Sequence, residues 1–154
     1  LLFRLLWLSE RISKNALVMN TIRTRTQIIE RLKAAKLRPT RQRLALARLL
    51  FERGDRHVTA EQLPADVMAA GIKVSLATVY NNLHQFTGAG LLREVVVDSG
   101  RSYFDTNTAS HFHFFHEATG RLEDIPIDDL VLGALPQLPE NTSVKRVDVI
   151  IRIG

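Results

Sequence analysis

The chain has 154 residues, 45% apolar and 24% charged, with 21 Lys+Arg, 16 Asp+Glu, five histidines and no cysteine. This is the composition of a globular protein of one large or two small domains, able to bury a core without disulfide staples. The missing cysteines exclude a thiolate nucleophile, an iron–sulfur cluster, a cysteine zinc site and any disulfide, so a metal site must use His, Asp and Glu. The net charge of +5 hides a partition: +2 over residues 1–18, +7 over 19–92 and −4 over 93–154. A basic half followed by an acidic half suggests two modules with different partners.

Residues 1–18 open with Leu1, Leu2, Phe3, Leu5, Leu6, Trp7 and Leu8, interrupted by Arg4. The run is too short to span a bilayer, and Ser9-Glu10-Arg11 supplies no signal cleavage site. It reads as an extension outside the fold, with the working protein starting near Met19; the alternative is a membrane-contacting amphipathic helix. No other segment reads as transmembrane, so a cytoplasmic protein without a membrane partner is expected.

Four helices are then predicted. Ile28, Ile29 and Leu32 give helical spacing over Thr26–Ala35. After Arg38-Pro39, Thr40 caps a second helix with an apolar face of Leu44, Leu46, Ala47, Leu49, Leu50 and Phe51, stopped by Gly54. Thr59 and Gln62 have capping-box spacing for a third helix, lined by Leu63, Val67, Met68 and Ala70 and stopped by Gly71. Ser75 caps a fourth, with Leu76, Val79, Leu83 and Phe86 inward and Gly88 and Gly90 closing it. Leu91–Val97, the turn Asp98-Ser99-Gly100 and Arg101–Asp105 form a hairpin signature.

Helices three and four make a helix-turn-helix, and the hairpin stands where a wing would. The outward face of helix four carries Thr78, Tyr80, Asn81 and His84, side chains that suit base edges and phosphates in a major groove. Arg38, Arg41, Arg43, Lys73, Arg93 and Arg101 flank it and suit phosphate contact. The partner expected is double-stranded DNA; a protein-interaction module is the bland alternative.

His111-Phe112-His113-Phe114-Phe115-His116-Glu117 alternates as a strand, with His111, His113, Phe115 and Glu117 on one face. Two histidines at i, i+2 can share one metal. Asp105 lies six residues earlier, Asp124 follows the turn Ala118-Thr119-Gly120, and His57 precedes helix three. Imidazoles with carboxylates suit Fe2+, Mn2+ or Zn2+, and a structural role for the histidines is the other reading. Leu122–Ile127, a short helix over Asp128–Leu135 and a closing strand over Val144–Ile153, alternating through Val147, Val149, Ile151 and Ile153, complete the chain. That strand is expected to contribute to a dimer.

Over roughly residues 26–153 the chain resembles the ferric uptake regulator family. The resemblance is carried by Leu37-Arg38-Pro39-Thr40-Arg41-Gln42-Arg43, His57-Val58-Thr59-Ala60-Glu61, Ser75-Leu76-Ala77-Thr78-Val79-Tyr80-Asn81-Asn82-Leu83 and Asp105 with His111-x-His113. Within it the chain looks most like the iron response regulator branch, through Phe104-Asp105-Thr106-Asn107-Thr108 and a cysteine-free His- and Phe-rich strand. The resemblance implies an α+β protein, with a winged helix-turn-helix over residues 19–105 and a small α/β metal-sensing and dimerisation domain over 106–154. It implies a homodimeric regulator of iron homeostasis genes on palindromic AT-rich operators. A metal site of His57, Asp105, His111, His113 and Asp124 is implied, filled by Fe2+ or Mn2+, with Zn2+ able to substitute. The DNA-contacting set is Arg38, Arg41, Lys73, Ser75, Thr78, Tyr80 and Asn81, with Tyr80 on thymine and Arg38 in the minor groove.

Two departures matter. His116 and Thr119 stand where many members carry the first Cys-x-x-Cys pair, and there is no second pair, so a structural zinc held by four cysteines is not expected. Phe112 replaces the middle of three histidines typical of the branch, and no Cys-Pro haem motif is present, which leaves haem sensing to the histidines. The alternatives are a peroxide-sensing regulator of the same family, or a cupin-like metal enzyme built on His111-x-His113-x-x-x-Glu117. Cupins need about eight strands and a second downstream His motif, so no enzyme is expected.

Overall fold

The computed structural model describes residues 24–154, and the reading of residues 1–18 lies outside them. Helix α1 runs through residues 24–34. It is followed by α2 (Arg41–Phe51), β1 (His57–Thr59), α3 (Gln62–Ala69), α4 (Leu76–Gly88), β2 (Arg93–Asp98) and β3 (Arg101–Asp105). Then come β4 (His111–His116), β5 (Arg121–Pro126), a 3-10 turn over Ile127–Asp129 and β6 (Ile150–Ile153). The strands form two three-stranded sheets, ordered β1-β3-β2 and β5-β4-β6. All pairs are antiparallel except β4 with β6. The result is α+β, as the patterning predicts.

Local chemistry sets the helix ends. Thr40 accepts from the Arg43 N–H, and Ser75 from the Thr78 N–H, each satisfying one of the amides a helix start leaves open. The expected capping box is reciprocal: Gln62 N–H donates to Thr59 Oγ1, and Thr59 N–H to Gln62 Oε1, both at 3.1 Å. Helices α3 and α4 stop alike, with Gly71 and Gly90 at φ +66° and +73°. The next N–H reaches back to Val67 O and Phe86 O respectively, a left-handed closure that a Cβ would disfavour.

The principal core lies among the helices. Ile28, Leu32, Leu46, Leu50, Leu63, Val67, Val79, Leu83 and Phe86 pack with Val58 of β1 and Phe104 of β3. Met68 and Leu76, expected to face inward, are exposed, and so is Ala70. The helices bury only the narrower stripes Leu63/Val67 and Val79/Asn82/Leu83/Phe86. A second cluster joins the sheets: Val95, Val97 and Tyr103 from the hairpin pack on Phe115, Leu122 and Ile150. One face of the wing hairpin is therefore committed to the other sheet.

Three elements differ from expectation. β1 is a third wing strand, only three residues long. No helix forms over Asp128–Leu135 beyond the 3-10 turn; Gly133 lies within the span and Pro136 disfavours helix at the residue before it, and Val131, Leu132, Leu135 and Leu138 stay exposed. Of the strand expected over Val144–Ile153 only Ile150–Ile153 pairs regularly, because only there does β4 lie alongside.

Candidate metal centre

The two sheets meet at one cluster of side chains. His57 on β1 sits opposite Asp105 at the end of β3, and His113 on β4 sits opposite Asp124 on β5. His111 lies two residues before His113 on the same strand face, as the alternation predicts. One ligand atom from each of the five, His57, Asp105, His111, His113 and Asp124, falls within 4.8 Å of every other. Asp105, His111 and His113 are buried, while His57 and Asp124 are half-buried.

His111 Nε2 lies 2.9 Å from Asp105 Oδ2 and 3.0 Å from His113 Nε2. His113 Nε2 is 3.3 Å from Asp105 Oδ2, and His57 Nε2 is 2.8 Å from Asp124 Oδ1. The last two atoms are close without being aligned as a hydrogen bond, and both are buried without a hydrogen-bond partner. His111 Nδ1 faces the Ala109 carbonyl at 2.8 Å, so the neutral ring carries its proton there and turns the Nε2 lone pair inward. Lone pairs and carboxylate oxygens converging in a buried space repel unless a proton or a cation joins them. The donor set of three imidazoles and two carboxylates therefore fits a divalent transition metal.

The electrostatics agree. Burial alone would lower the His57 pKa, but the carboxylates of Asp105 and Asp124 beside the ring outweigh it and raise it above 6.5. Burial alone would raise Asp105, but hydrogen bonds from His113 and the Asn107 amide, with the adjacent His57 ring, hold it well below the usual carboxylate range.

The residues singled out for DNA lie on the helical half. Tyr80 and Thr78 are half-buried on α4, and Asn81 is exposed. Ser75 has a structural task as well, since its hydroxyl caps α4 and lies 2.8 Å from Thr78 Oγ1. Arg41 and Lys73 are brought together across a surface concavity of about 480 Å³ floored by Gly71, Ile72 and Val74. Arg38 is exposed ahead of α2, its carbonyl accepting from Arg43 Nη1 at 2.7 Å.

Other residues have partners within the fold. Arg43 donates to Asn82 and Gln85 as well, and locks α2 to α4. The signal for this was Asn82 on the inward spacing of α4. Arg93 pairs with Asp148, and Arg101 stacks over Phe115. His116, at the position of a family cysteine, pairs with Glu123 at 3.0 Å beside Arg121. Arg56 and Thr106, not singled out from sequence, extend the β1–β3 ladder through two hydrogen bonds, and Arg56 also holds Asp66 of α3 at 2.6 Å.

The ferric uptake regulator family profile matches residues 34–152. The chain belongs to that family. It is 33% identical over 102 residues to the peroxide-responsive repressor PerR of Staphylococcus aureus, covering 66% of this chain and 68% of that one. Its fold is similar to the Vibrio cholerae ferric uptake regulator, with TM-score 0.62, 22% identity and coverage of 80% and 96% of the two chains. The Pseudomonas aeruginosa ferric uptake regulator with manganese gives 0.61, 24%, 80% and 94%. Members of the family are transcription regulators and not enzymes, which removes the cupin-like alternative. Among the described residues no helix is long and apolar enough to cross a membrane.

Proposed function

We propose that this chain is an iron-responsive DNA-binding regulator in which Fe2+ or Mn2+, with Zn2+ able to substitute, sets the affinity for operator DNA. The observation that carries the reading is the convergence of five donors from both sheets next to the helix-turn-helix. A divalent cation would supply the positive charge that these lone pairs and carboxylates need to stay together. His57 and Asp105 belong to the sheet that contains the wing, and His57 lies two residues before the Thr59 cap of α3. His111, His113 and Asp124 belong to the other sheet or its entry. Shared coordination fixes one sheet on the other and biases the molecule toward one placement of its wing.

In this reading residues 19–105 bind DNA and residues 106–154 sense and dimerise. Arg38, Arg41 and Lys73 meet phosphate, while Ser75, Thr78, Tyr80 and Asn81 line the reading face. Regulators of the family act as dimers, and a two-fold dimer would match a palindromic AT-rich operator. The test is a gel shift on such operators across salt, with EDTA, Mn2+ or Fe2+. Salt-sensitive binding that changes with metal is expected; indifference to both overturns the reading.

Assignment to the iron response branch rests on the Phe104–Thr108 run and the cysteine-free strand. Haem fits less well than an ion, because His111 Nε2 and His113 Nε2 are buried 3.0 Å apart between carboxylates. Haem titration of wild type, His111→Ala and His113→Ala checks this; a Soret shift lost in both variants would reinstate it. A peroxide-responsive role is the second reading, favoured by the likeness to PerR. It requires that peroxide abolish operator binding of the Fe2+-loaded protein and spare the Mn2+-loaded one.

A further inference from the structure

One residue outside the five donors touches three of them directly or through one link. The Asn107 amide N–H donates to Asp105 Oδ1 at 2.8 Å. Its side-chain Nδ2 donates to Asp124 Oδ2, also at 2.8 Å. Its Oδ1 accepts from the Ala109 N–H at 3.2 Å, and the Ala109 carbonyl is the partner of His111 Nδ1. Two successive side-chain-to-backbone turns, Asp105 to Asn107 and Asn107 to Ala109, thus wind the connection between β3 and β4. They set His111 on the face it shares with His113.

We propose that Asn107 is the positioning residue of the metal centre and a determinant of which cation it accepts. The inference rests on the metal-centre reading above. Each aspartate spends one oxygen on Asn107 and turns the other inward: Asp105 Oδ2 and Asp124 Oδ1 are the atoms nearest the imidazoles. Both carboxylates are thereby held to one ligand atom each. Calcium commonly takes bidentate carboxylates and six to eight oxygens, whereas small transition ions accept fewer ligands with nitrogen among them. Asn107 therefore disfavours the large, hard cation while orienting donors for the small one. Its amide uses both ends, donating to Asp124 and accepting from Ala109. Asp at this position would keep the shape and the acceptor but lose the donor, and would add a third carboxylate beside the two.

The test compares wild type, Asn107→Ala and Asn107→Asp as full-length protein. Read-outs are the visible spectrum of bound Co2+, Mn2+ affinity by competition, and the ratio of Mn2+ to Ca2+ affinity. Both variants should bind Mn2+ roughly 10–100-fold more weakly, the usual effect of losing an outer partner of a ligand. Both should show a changed Co2+ band pattern and a smaller Mn2+/Ca2+ ratio. If Asn107→Ala does not fold, the isosteric Asn107→Asp carries the comparison. Variants within about twofold of wild type in affinity and ratio, with the same Co2+ spectrum, overturn the inference alone. Wild type that binds neither Co2+ nor Mn2+ overturns the metal-centre reading together with it.

Discussion

His57 must lose a proton before it can serve a cation, and its neighbours resist that loss. In the metal-free protein its folded pKa lies above 6.5, so its contribution to stability is fully present below 6.5 and is lost as pH rises through the folded value. Asp105 has a depressed pKa, so its contribution is present above 3.8 and is lost as pH falls through the folded value. Metal-free protein should therefore be most stable between 3.8 and 6.5. Thermal unfolding in EDTA should show a lower midpoint at about pH 8 than at about pH 5.5. Excess Mn2+ should reverse that order, because binding needs neutral His57. His113→Ala should lower Mn2+ affinity by more than the roughly 10–100-fold typical of an outer-shell loss, since a buried ligand disappears; an unchanged calorimetric isotherm would contradict this.

At the scale of elements, α4 divides its labour between two faces. Phe86 is fully buried, and Phe86→Ala should cost about 3–5 kcal/mol in chemical denaturation. Asn81 is exposed; Asn81→Ala should leave stability within ~0.5 kcal/mol while weakening operator binding in a gel shift. Arg43→Ala should cost about 1–3 kcal/mol, because Asn82 Oδ1 keeps its buried position and loses its donor. The helices, the hairpin and the His111/His113 face were legible from sequence because each spans several periods of a strong pattern. β1 was not, since three residues carry no periodicity and its existence depends on β3. The expected helix over Asp128–Leu135 followed apolar content that Gly133 and the adjoining Pro136 override. Asp124 was legible as a candidate, but its register against His113 depends on the β4–β5 turn. The part of Asn107 was invisible because three separate contacts define it, none with a sequence period.

For the whole molecule, the two sheets share one apolar cluster and one set of converging donors. Ligation at that junction adds stability by mass action, about 2.7 kcal/mol at a roughly hundredfold excess over Kd. For a chain of this size the midpoint should rise by roughly 5–10 °C on Mn2+ addition. Differential scanning calorimetry checks it, and an unmoved midpoint in a protein that binds Mn2+ would show that the unfolded chain holds the ion as well as the folded junction does.

The parallel pairing of β4 with β6 also has a consequence for how the protein is made. His113 donates its N–H to Val149 O, and Glu117 donates to Ile153 O, across the long, mostly exposed stretch 127–149. During synthesis β4 emerges well before this partner and can pair only with β5 on its other side. For that interval Phe112, Phe114 and Phe115 lie on a strand with one edge open, a template for wrong pairing. The backbone of β6 closes that edge late, and its Arg152 guanidinium then rests over the Phe115 ring. The histidine strand is thus held on both sides only once residues 149–153 have been made.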